Sequence, residues 1–151
     1  MRFLVAVIAA ALFAPNASAS RVPDISRVAS DLAGKPVSVQ CSQDNTVRGV
    51  AGAGSVDGIG GSTMYLARIV CDALLLRVRN PDWALGLVTI AHEAEHLKGV
   101  VDESEADCNA LKVAAKVGIV YYRLTRKQLH KIMDRAWAQH RQQSAKYTRL
   151  C

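Results

Sequence analysis

The stretch from Thr89 to Leu97, TIAHEAEHL, constrains this chain more than any other, because it places His92, Glu93 and His96 within five positions. If the stretch is helical, the two histidines lie one turn apart on the same face, where both imidazoles can bind one divalent metal ion. Glu93 then lies beside them, within reach of a water molecule at that metal. The stretch therefore predicts a helix that carries two metal ligands and a general base.

Residues on both sides of the motif predict where this helix begins and ends. Asn80 is a suitable N-cap, Pro81 fits the first helical position, and Asp82 puts a negative charge at the positive end of the helix dipole. Gly99 is a typical left-handed stop. Because most residues between these ends are apolar, the motif is expected in the last turns of a largely buried helix.

A second helix is expected to begin immediately after the first one. Asp102 and Glu105 have the spacing of a capping box, so the chain turns back within a few residues of Gly99. The first residues of the new helix then lie close to the two histidines. Both Asp102 and Glu103 are candidates for a third metal ligand.

Two successive motifs resemble those of a known enzyme family. His-Glu-x-x-His at 92–96 is followed by Glu-x-x-x-Asp at 103–107, a pair that the gluzincin metallopeptidases carry on two successive helices. The short spacing is similar to that of the compact secreted minigluzincin type. The resemblance covers residues 85–112 and implies a minimal zincin-like fold. Such a fold is mainly α (α+β), with a small β-sheet, an active-site helix and C-terminal helices.

The resemblance also implies a role for each residue of the two motifs. His92, His96 and Glu103 would bind one catalytic Zn²⁺, whose fourth position is open to water. Glu93 would activate that water as the catalytic base. Asp107 would accept a hydrogen bond from the outer nitrogen of a ligand histidine and so orient it.

One alternative and two departures accompany this match. The interval from His92 to Asp102 also resembles a metzincin-like pattern, in which Asp102 is the third ligand instead of Glu103. We prefer Glu103, because Asp102 has a sufficient role as the helix cap. Glu95 occupies a position that is usually uncharged in zinc peptidases, and is expected either to be solvated or to assist the site. Lys98 replaces a usual apolar residue.

Residues 1–19 have the pattern of a secretory signal peptide. Met1-Arg2 is a short basic region, Phe3 to Ala14 is an apolar run, and Ala17-Ser18-Ala19 is a small-x-small cleavage site. Cleavage there would leave a single domain over residues 20–151, secreted to the extracellular space or the cell envelope. The apolar run is too short to span a membrane, and no later stretch has the ~20 apolar residues that a span needs.

The cysteines predict a disulfide-stapled domain. An even number of cysteines in an exported chain favours two disulfides, and their wide spacing lacks the Cys-x-x-Cys pairs of a structural zinc site. Three connectivities are possible. The four residues are Cys41, Cys71, Cys108 and Cys151.

Shorter elements are expected on the N-terminal side of the metal helix. A helix capped by Asp24 should stop at Gly34, and a strand should cover Val37 to Cys41. Ser42 to Ser62 is glycine-rich and reads as a loop in which some backbone approaches another element closely. Thr63 to Leu66 is a second strand, for which we prefer an ordinary place in a small sheet. The alternative is a strand at the edge of the cleft, where it would pair with an extended peptide.

The C-terminal part is helical and basic, and Thr125 and Gln128 have the spacing of a capping box at the start of its last helix. From Arg123 to Arg149 there are eight lysine or arginine residues and one acid. They alternate with an apolar stripe and no nucleic-acid motif accompanies them, so we expect a solvated face and no nucleic-acid partner. The residues near the preceding chain reversal are the candidates for an oxyanion stabiliser: Tyr121, Tyr122, Arg123 and His130.

The sequence thus predicts a secreted zinc-dependent metallopeptidase that cleaves a peptide or protein substrate. One alternative is a catalytically inactive secreted domain that binds zinc or a partner through the same ligands. Another is a basic cell-envelope-binding protein, which the net charge of +6 would suit. Glu93 favours the enzyme, because it serves catalysis and is not needed as a ligand. No pattern indicates substrate specificity, a pro-segment or an oligomeric state.

Overall fold

The computed structural model describes residues 24–48, 50–51, 53–76 and 81–143. Over these ranges the chain forms five α-helices and a three-stranded sheet, so the fold is mainly α (α+β), as predicted. None of these helices is long and apolar enough to cross a membrane. The helices are α1 (Ile25–Ala33), α2 (Arg68–Leu76), α3 (Pro81–Lys98), α4 (Glu103–Val120) and α5 (Arg126–Gln143).

Some predicted features lie outside the described residues. These are the signal peptide at residues 1–19, the N-cap residue Asn80, and Cys151.

Local capping signals set the ends of α1 and α5 as predicted. The Asp24 carboxylate accepts a hydrogen bond from the Ser26 N–H at 2.9 Å, and Gly34 ends α1 with a left-handed φ of 69°. At α5 the Thr125 N–H donates to Gln128 Oε1 at 3.1 Å, while the Gln128 N–H donates back to Thr125 Oγ1 at 3.3 Å. This reciprocal pair confirms the predicted capping box.

The small sheet has a mixed topology and lies against α3. Its order is β1-β5-β4, with β5 parallel to β1 and antiparallel to β4, while β2 and β3 form a separate two-stranded ladder. The strands are β1 (Ser38–Cys41), β2 (Thr46–Val47), β3 (Val50–Ala51), β4 (Gly54–Val56) and β5 (Thr63–Leu66).

The structure corrects one prediction about this region and decides between two readings of another. Ser42 to Ser62 is not one loop, since β2, β3 and β4 lie within it. Strands of two or three residues are too short to show the alternation of apolar and polar residues from which a strand is predicted. Thr63 to Leu66 forms an ordinary strand of the small sheet, as preferred, and the alternative of a cleft-edge strand is wrong, because it is the central strand. Both of its sides are paired, so among the described residues the sheet edge beside α3 belongs to β4.

Helix α3 is the centre of the fold. It packs against all four other helices and against β4 and β5. Its side chains are buried on several faces, with Trp83, Leu87, Ile90 and Leu97 at most 1% exposed. This burial explains the apolar composition around the motif, because a helix covered on all sides has no face left for solvated residues.

One of the predicted disulfides is present among the described residues. Cys41 at the end of β1 is bonded to Cys71 in α2, so the bond encloses β2 to β5 in one covalent loop. This pairing leaves Cys108 and Cys151 as the other two cysteines. Cys108 is itself not a free thiol.

Candidate metal centre

The end of α3 is shaped by a left-handed glycine. Gly99 has a φ of 106° and its N–H donates to the His96 carbonyl at 3.0 Å, while the Val100 N–H donates to the Glu95 carbonyl at 3.1 Å. This pair of bonds is a Schellman motif, which a residue with a Cβ would strain. The glycine stop predicted from the sequence is therefore confirmed.

The start of α4 follows at once and brings its first residues back to α3. Asp102 caps the helix, since its carboxylate accepts a hydrogen bond from the Glu105 N–H at 2.8 Å. The chain turns back here, so that Glu103 and Asp107 reach the two histidines from the first turns of α4. Asp102 is occupied as the cap, and Glu103 is the acid that faces the histidines.

His92, His96 and Glu103 converge at the spacing of metal ligands. The two Nε2 atoms are 3.0 Å apart; Glu103 Oε2 lies 3.2 Å from His92 Nε2, and Glu103 Oε1 lies 3.4 Å from His96 Nε2. Ligands bound tetrahedrally at zinc distances stand about 3.3 Å from one another. The three side chains therefore fit three corners of such a tetrahedron. The histidines are mostly buried, whereas the Glu103 side chain is 56% exposed, so the cluster opens to solvent on that side.

Hydrogen bonds orient both imidazoles toward this common point. Asp107 Oδ1 accepts from His92 Nδ1 at 2.7 Å, and the Val100 carbonyl accepts from His96 Nδ1 at 2.8 Å. Because a carboxylate and a carbonyl only accept, each ring carries a proton on Nδ1, and each Nε2 is turned toward Glu103. The structure brings Asp107 to the position that the resemblance implied. The Val100 carbonyl was not foreseen, since its direction depends on the Schellman turn.

The cluster is electrostatically suited to a cation. Burial alone would lower the pKa of His92, but the hydrogen bond to Asp107 and the nearby carboxylates of Glu93, Asp107 and Glu103 outweigh burial and raise that pKa. The same negative charges that retain a proton on the imidazole would stabilise a divalent metal in its place.

Glu93 lies next to the cluster in a tight position between α3 and β4. Only 6% of the residue is exposed. A Cβ placed on Gly54 of β4 would lie 2.6 Å from Glu93 Oε1 and 2.7 Å from its Cγ. Only glycine at position 54 leaves this space, which confirms the predicted close approach of backbone in the glycine-rich stretch. Burial raises the pKa of Glu93 to about 7.

The outer side of β4 lies next to α3 and pairs with no other strand in the described part of the chain. Pairing with β5 turns the backbone groups of Ala53, Ser55 and Asp57 toward that strand. Because directions alternate along an antiparallel strand, the backbone groups of Gly54 and Val56 point to the other side. Among the described contacts of this edge, the Val56 carbonyl accepts a hydrogen bond from the Arg48 guanidinium at 3.3 Å.

The two departures from the family motif form one interaction. Glu95 is only 4% exposed, so the expectation of a solvated side chain is wrong. Its carboxylate pairs with the Lys98 ammonium and accepts a hydrogen bond from Asn109 Nδ2 of α4 at 3.3 Å. Glu95 thus fastens α3 to α4, and Lys98 supplies the countercharge that a buried carboxylate requires.

The tyrosines that were candidates for an oxyanion stabiliser lie far from the cluster. Tyr121 follows the last residue of α4, about 27 Å from Glu103 by the helix rise. Its hydroxyl donates to Asp31 Oδ2 at 2.5 Å. Burial and this bond raise the pKa of Tyr121 to about 12. The Tyr122 ring packs edge-on against Trp83 near the start of α3, with ring centroids 4.9 Å apart.

The remaining two candidates are also placed at that end of the molecule. Arg123 lies in the turn between α4 and α5, and its N–H donates to the Ile119 carbonyl. His130 belongs to the second turn of α5, where its Nδ1 lies 2.8 Å from Asp134 Oδ2 on an exposed surface. The structure therefore brings none of the four candidates to the metal cluster.

Comparison of the chain with protein-family models, with curated proteins and with solved structures finds no match. The site is therefore interpreted from its own geometry. In the part of the chain that the structure describes, His92, His96 and Glu103 form the one group of His, Cys, Asp and Glu side chains that could hold a metal ion.

Proposed function

We propose that this protein is a secreted zinc-dependent metallopeptidase of the gluzincin type. The observation that carries the proposal is the convergence of His92, His96 and Glu103 at tetrahedral ligand spacing, with the Glu93 carboxylate buried beside them. The disulfide between β1 and α2 is compatible with an extracellular protein.

The donor set favours zinc and a catalytic site. Two imidazoles and one carboxylate are a common ligand set of hydrolytic zinc enzymes, whereas structural zinc sites are closed by four protein ligands, usually with cysteines. When bound, the zinc ion would polarise the substrate carbonyl and lower the pKa of water to about 7. Asp107 and the Val100 carbonyl would keep both histidines in the ligating tautomer.

Glu93 is the residue that would move protons in this reaction. It makes no hydrogen bond to another described residue, so its oxygens are available to a water molecule at the cluster. The Glu93 side chain packs closely against Gly54 of β4, which restricts where its carboxylate can lie. Glu93 would accept the proton of the attacking water and deliver it to the amine that leaves.

The substrate class follows from the open edge of β4. An extended peptide lying antiparallel to β4 would meet the outward N–H and carbonyl groups of Gly54 and the N–H of Val56. Gly54 is also the residue that contacts Glu93, so the peptide backbone would pass next to the catalytic carboxylate. A peptide or protein substrate therefore fits this site through main-chain hydrogen bonds.

The decisive experiment compares Glu93→Gln with a matched control, Glu105→Gln. Both remove one acid near the α3–α4 turn, but Glu105 is exposed and its side chain contacts the cluster through no described bond. We expect Glu93→Gln to keep one zinc per chain while hydrolysis of a peptide library falls at least a hundredfold. Glu105→Gln should keep both properties. Full activity in Glu93→Gln would refute the mechanism.

The third ligand is tested by comparing Glu103→Ala with Asp102→Ala. Loss of Glu103 should remove bound zinc, measured by metal analysis of the dialysed protein. Loss of Asp102 removes a helix cap, so it should lower stability by about 1 kcal/mol and leave the metal content unchanged. The opposite pattern would favour Asp102 as the ligand.

A second candidate function is a zinc-binding domain that cuts nothing. The observation that favours it is the position of the four oxyanion candidates at the far end of α4. Cleavage of a peptide library with and without chelator separates the two functions, because both bind zinc and only the peptidase cleaves. A basic cell-envelope-binding protein, the third alternative, would need no zinc, so metal analysis separates it from the other two.

A further inference from the structure

The C-terminal half of α4 carries an exposed face that the proposed peptidase chemistry does not use. Ile119 and Val120 are 44% and 56% exposed, although they are aliphatic. On the opposite side of the same helix, Ala114, Val117 and Gly118 are buried. The aliphatic pair is therefore not part of the core.

Basic residues surround this pair on the same side of α4. Lys112 and Lys116 stand at helical spacing from Ile119 and Val120, and Arg123 follows in the turn after α4, with a left-handed φ of 51°. All three basic residues are exposed. Arg123 is held against the last turn of α4, because its N–H donates to the Ile119 carbonyl at 3.1 Å. We call these five residues the α4 outer face.

The charge around the α4 outer face is mostly positive. Between Asp107 and Asp134 the sequence has six lysine or arginine residues and no acid. Arg126 and Lys127 are exposed in the first turn of α5, which has no acidic residue. Cations at the positive end of a helix dipole are unfavourable in the isolated protein, and a bound anionic surface would relieve that repulsion. Asp31, which Tyr121 contacts, is the nearby acid, and Arg27 lies 4.0 Å from it.

We propose that the α4 outer face docks on an anionic lipid bilayer. Basic side chains would lie at the headgroups, while Ile119 and Val120 would enter the boundary between headgroups and acyl chains. A soluble polyanion or a nucleic acid would use the charges but would have no use for two aliphatic side chains. Nucleic-acid binding would also favour stacking aromatics, and both nearby tyrosines are packed or bonded elsewhere.

The surface is separate from the metal cluster. The aliphatic pair ends at Val120, 17 residues or about 25 Å beyond Glu103, and the nearest member of the face, Lys112, is nine residues or about 14 Å away along the helix. Docking would therefore hold the molecule at a membrane without covering the cluster, and the proposal does not depend on zinc binding.

The test is sedimentation with vesicles of phosphatidylglycerol and phosphatidylcholine, compared with vesicles of phosphatidylcholine alone. Every variant is expressed from the same residues, 1–151, so that the N-terminal residues are identical in each. One variant is Lys116→Gln/Arg123→Gln and another is Ile119→Ser/Val120→Ser. The matched control on α2 is Arg68→Gln/Ile69→Ser, since Ile69 is 42% exposed and Arg68 is an exposed cation. The control removes one basic and one aliphatic residue from a different surface.

We expect salt-sensitive binding to the anionic vesicles only. Each basic residue at an anionic surface contributes about fivefold, so the basic double variant should bind about 25-fold more weakly. The aliphatic double variant should lose about tenfold or more, and the α2 control should lose no more than its single charge implies. Chelator should change none of these values.

Three results would overturn the proposal. Wild-type protein that binds neither vesicle, or both equally, has no anionic bilayer site. If the Ile119→Ser/Val120→Ser variant binds like wild type, the protein is held at the vesicles by charge alone and the aliphatic pair does not enter the bilayer. Competition by dextran sulfate or a DNA duplex at a tenth of the lipid phosphate concentration would identify a soluble polyanion as the partner instead.

Discussion

Replacement of Glu93 by glutamine should stabilise the metal-free protein while it abolishes hydrolysis. Burial raises the pKa of Glu93 from its ordinary value of 4.5 to about 7. The fold therefore favours the protonated carboxyl and opposes its ionised form. Glutamine has nearly the same shape and no charge, so the variant escapes the cost of a buried carboxylate.

The magnitude follows from the linkage between protons and folding. A pKa difference from 4.5 to about 7 corresponds to about 3 kcal/mol of unfolding free energy. Because the folded-state pKa is the higher one, wild type has this stability below pH 4.5 and loses it as the pH rises to about 7. Glu93→Gln should consequently be more stable than wild type by about 3 kcal/mol at pH 8 and by less than about 1 kcal/mol at pH 5.

Urea denaturation of chelator-treated protein, followed by circular dichroism at both pH values, measures this difference. Adding zinc supplies a cation beside Glu93, so the advantage of the variant should shrink by more than half. A difference that does not change with pH would refute the reasoning, because it would come from packing and not from ionisation. A variant less stable than wild type at pH 8 would refute it as well.

Three further predictions concern the surroundings of the site. Gly54→Ala should lower peptidase activity at least tenfold while zinc stays bound, because the added Cβ would displace the Glu93 side chain. Gly58→Ala is the control, because a Cβ at that position meets no other atom of the described chain within 4 Å. Zinc affinity should fall as the pH drops through the raised pKa of His92, since protons compete for its Nε2. Titration with a zinc indicator between pH 5 and 8 measures this, and an affinity that does not fall would contradict His92 as a ligand. Removing the disulfide between β1 and α2 by Cys41→Ser/Cys71→Ser, at positions 30 residues apart, should lower the unfolding free energy by about 3 to 4 kcal/mol, measured by urea denaturation. An unchanged midpoint would contradict the loop-entropy argument.

The helices of this protein could be predicted closely because their signals are local. The caps at Asp24, Asp102 and Thr125 and the stops at Gly34 and Gly99 satisfy backbone groups within a few residues. Such interactions depend only on neighbours in the chain. The short strands gave no comparable signal, so the three within the glycine-rich stretch were missed.

Burial of charged residues could not be predicted from the motif. Glu95 was expected in solvent or at the site, yet it lies between α3 and α4, paired with Lys98. The position of a side chain on a helical wheel gives a direction but does not reveal which element covers that direction. For the same reason the oxyanion candidates were expected near the site. In the structure α4 is long enough to carry Tyr121 about 27 Å away from Glu103.

The sequence by itself determined the metal-binding pattern. The four-residue spacing of His92 and His96, the glycine stop and the cap at Asp102 imply two histidines on one face and an acid arriving from the next helix. Each of these features follows from helix geometry and from backbone hydrogen bonds between near neighbours.

Only the tertiary structure decided which groups complete the site. The choice of Glu103 over Asp102 as the acid that faces the histidines depends on how α4 lies against α3. The close contact between Gly54 and the Glu93 side chain depends on the pairing of β4 with β5. Contacts between residues distant in the chain arise when whole elements pack to bury apolar surface, and no short stretch of sequence encodes that arrangement.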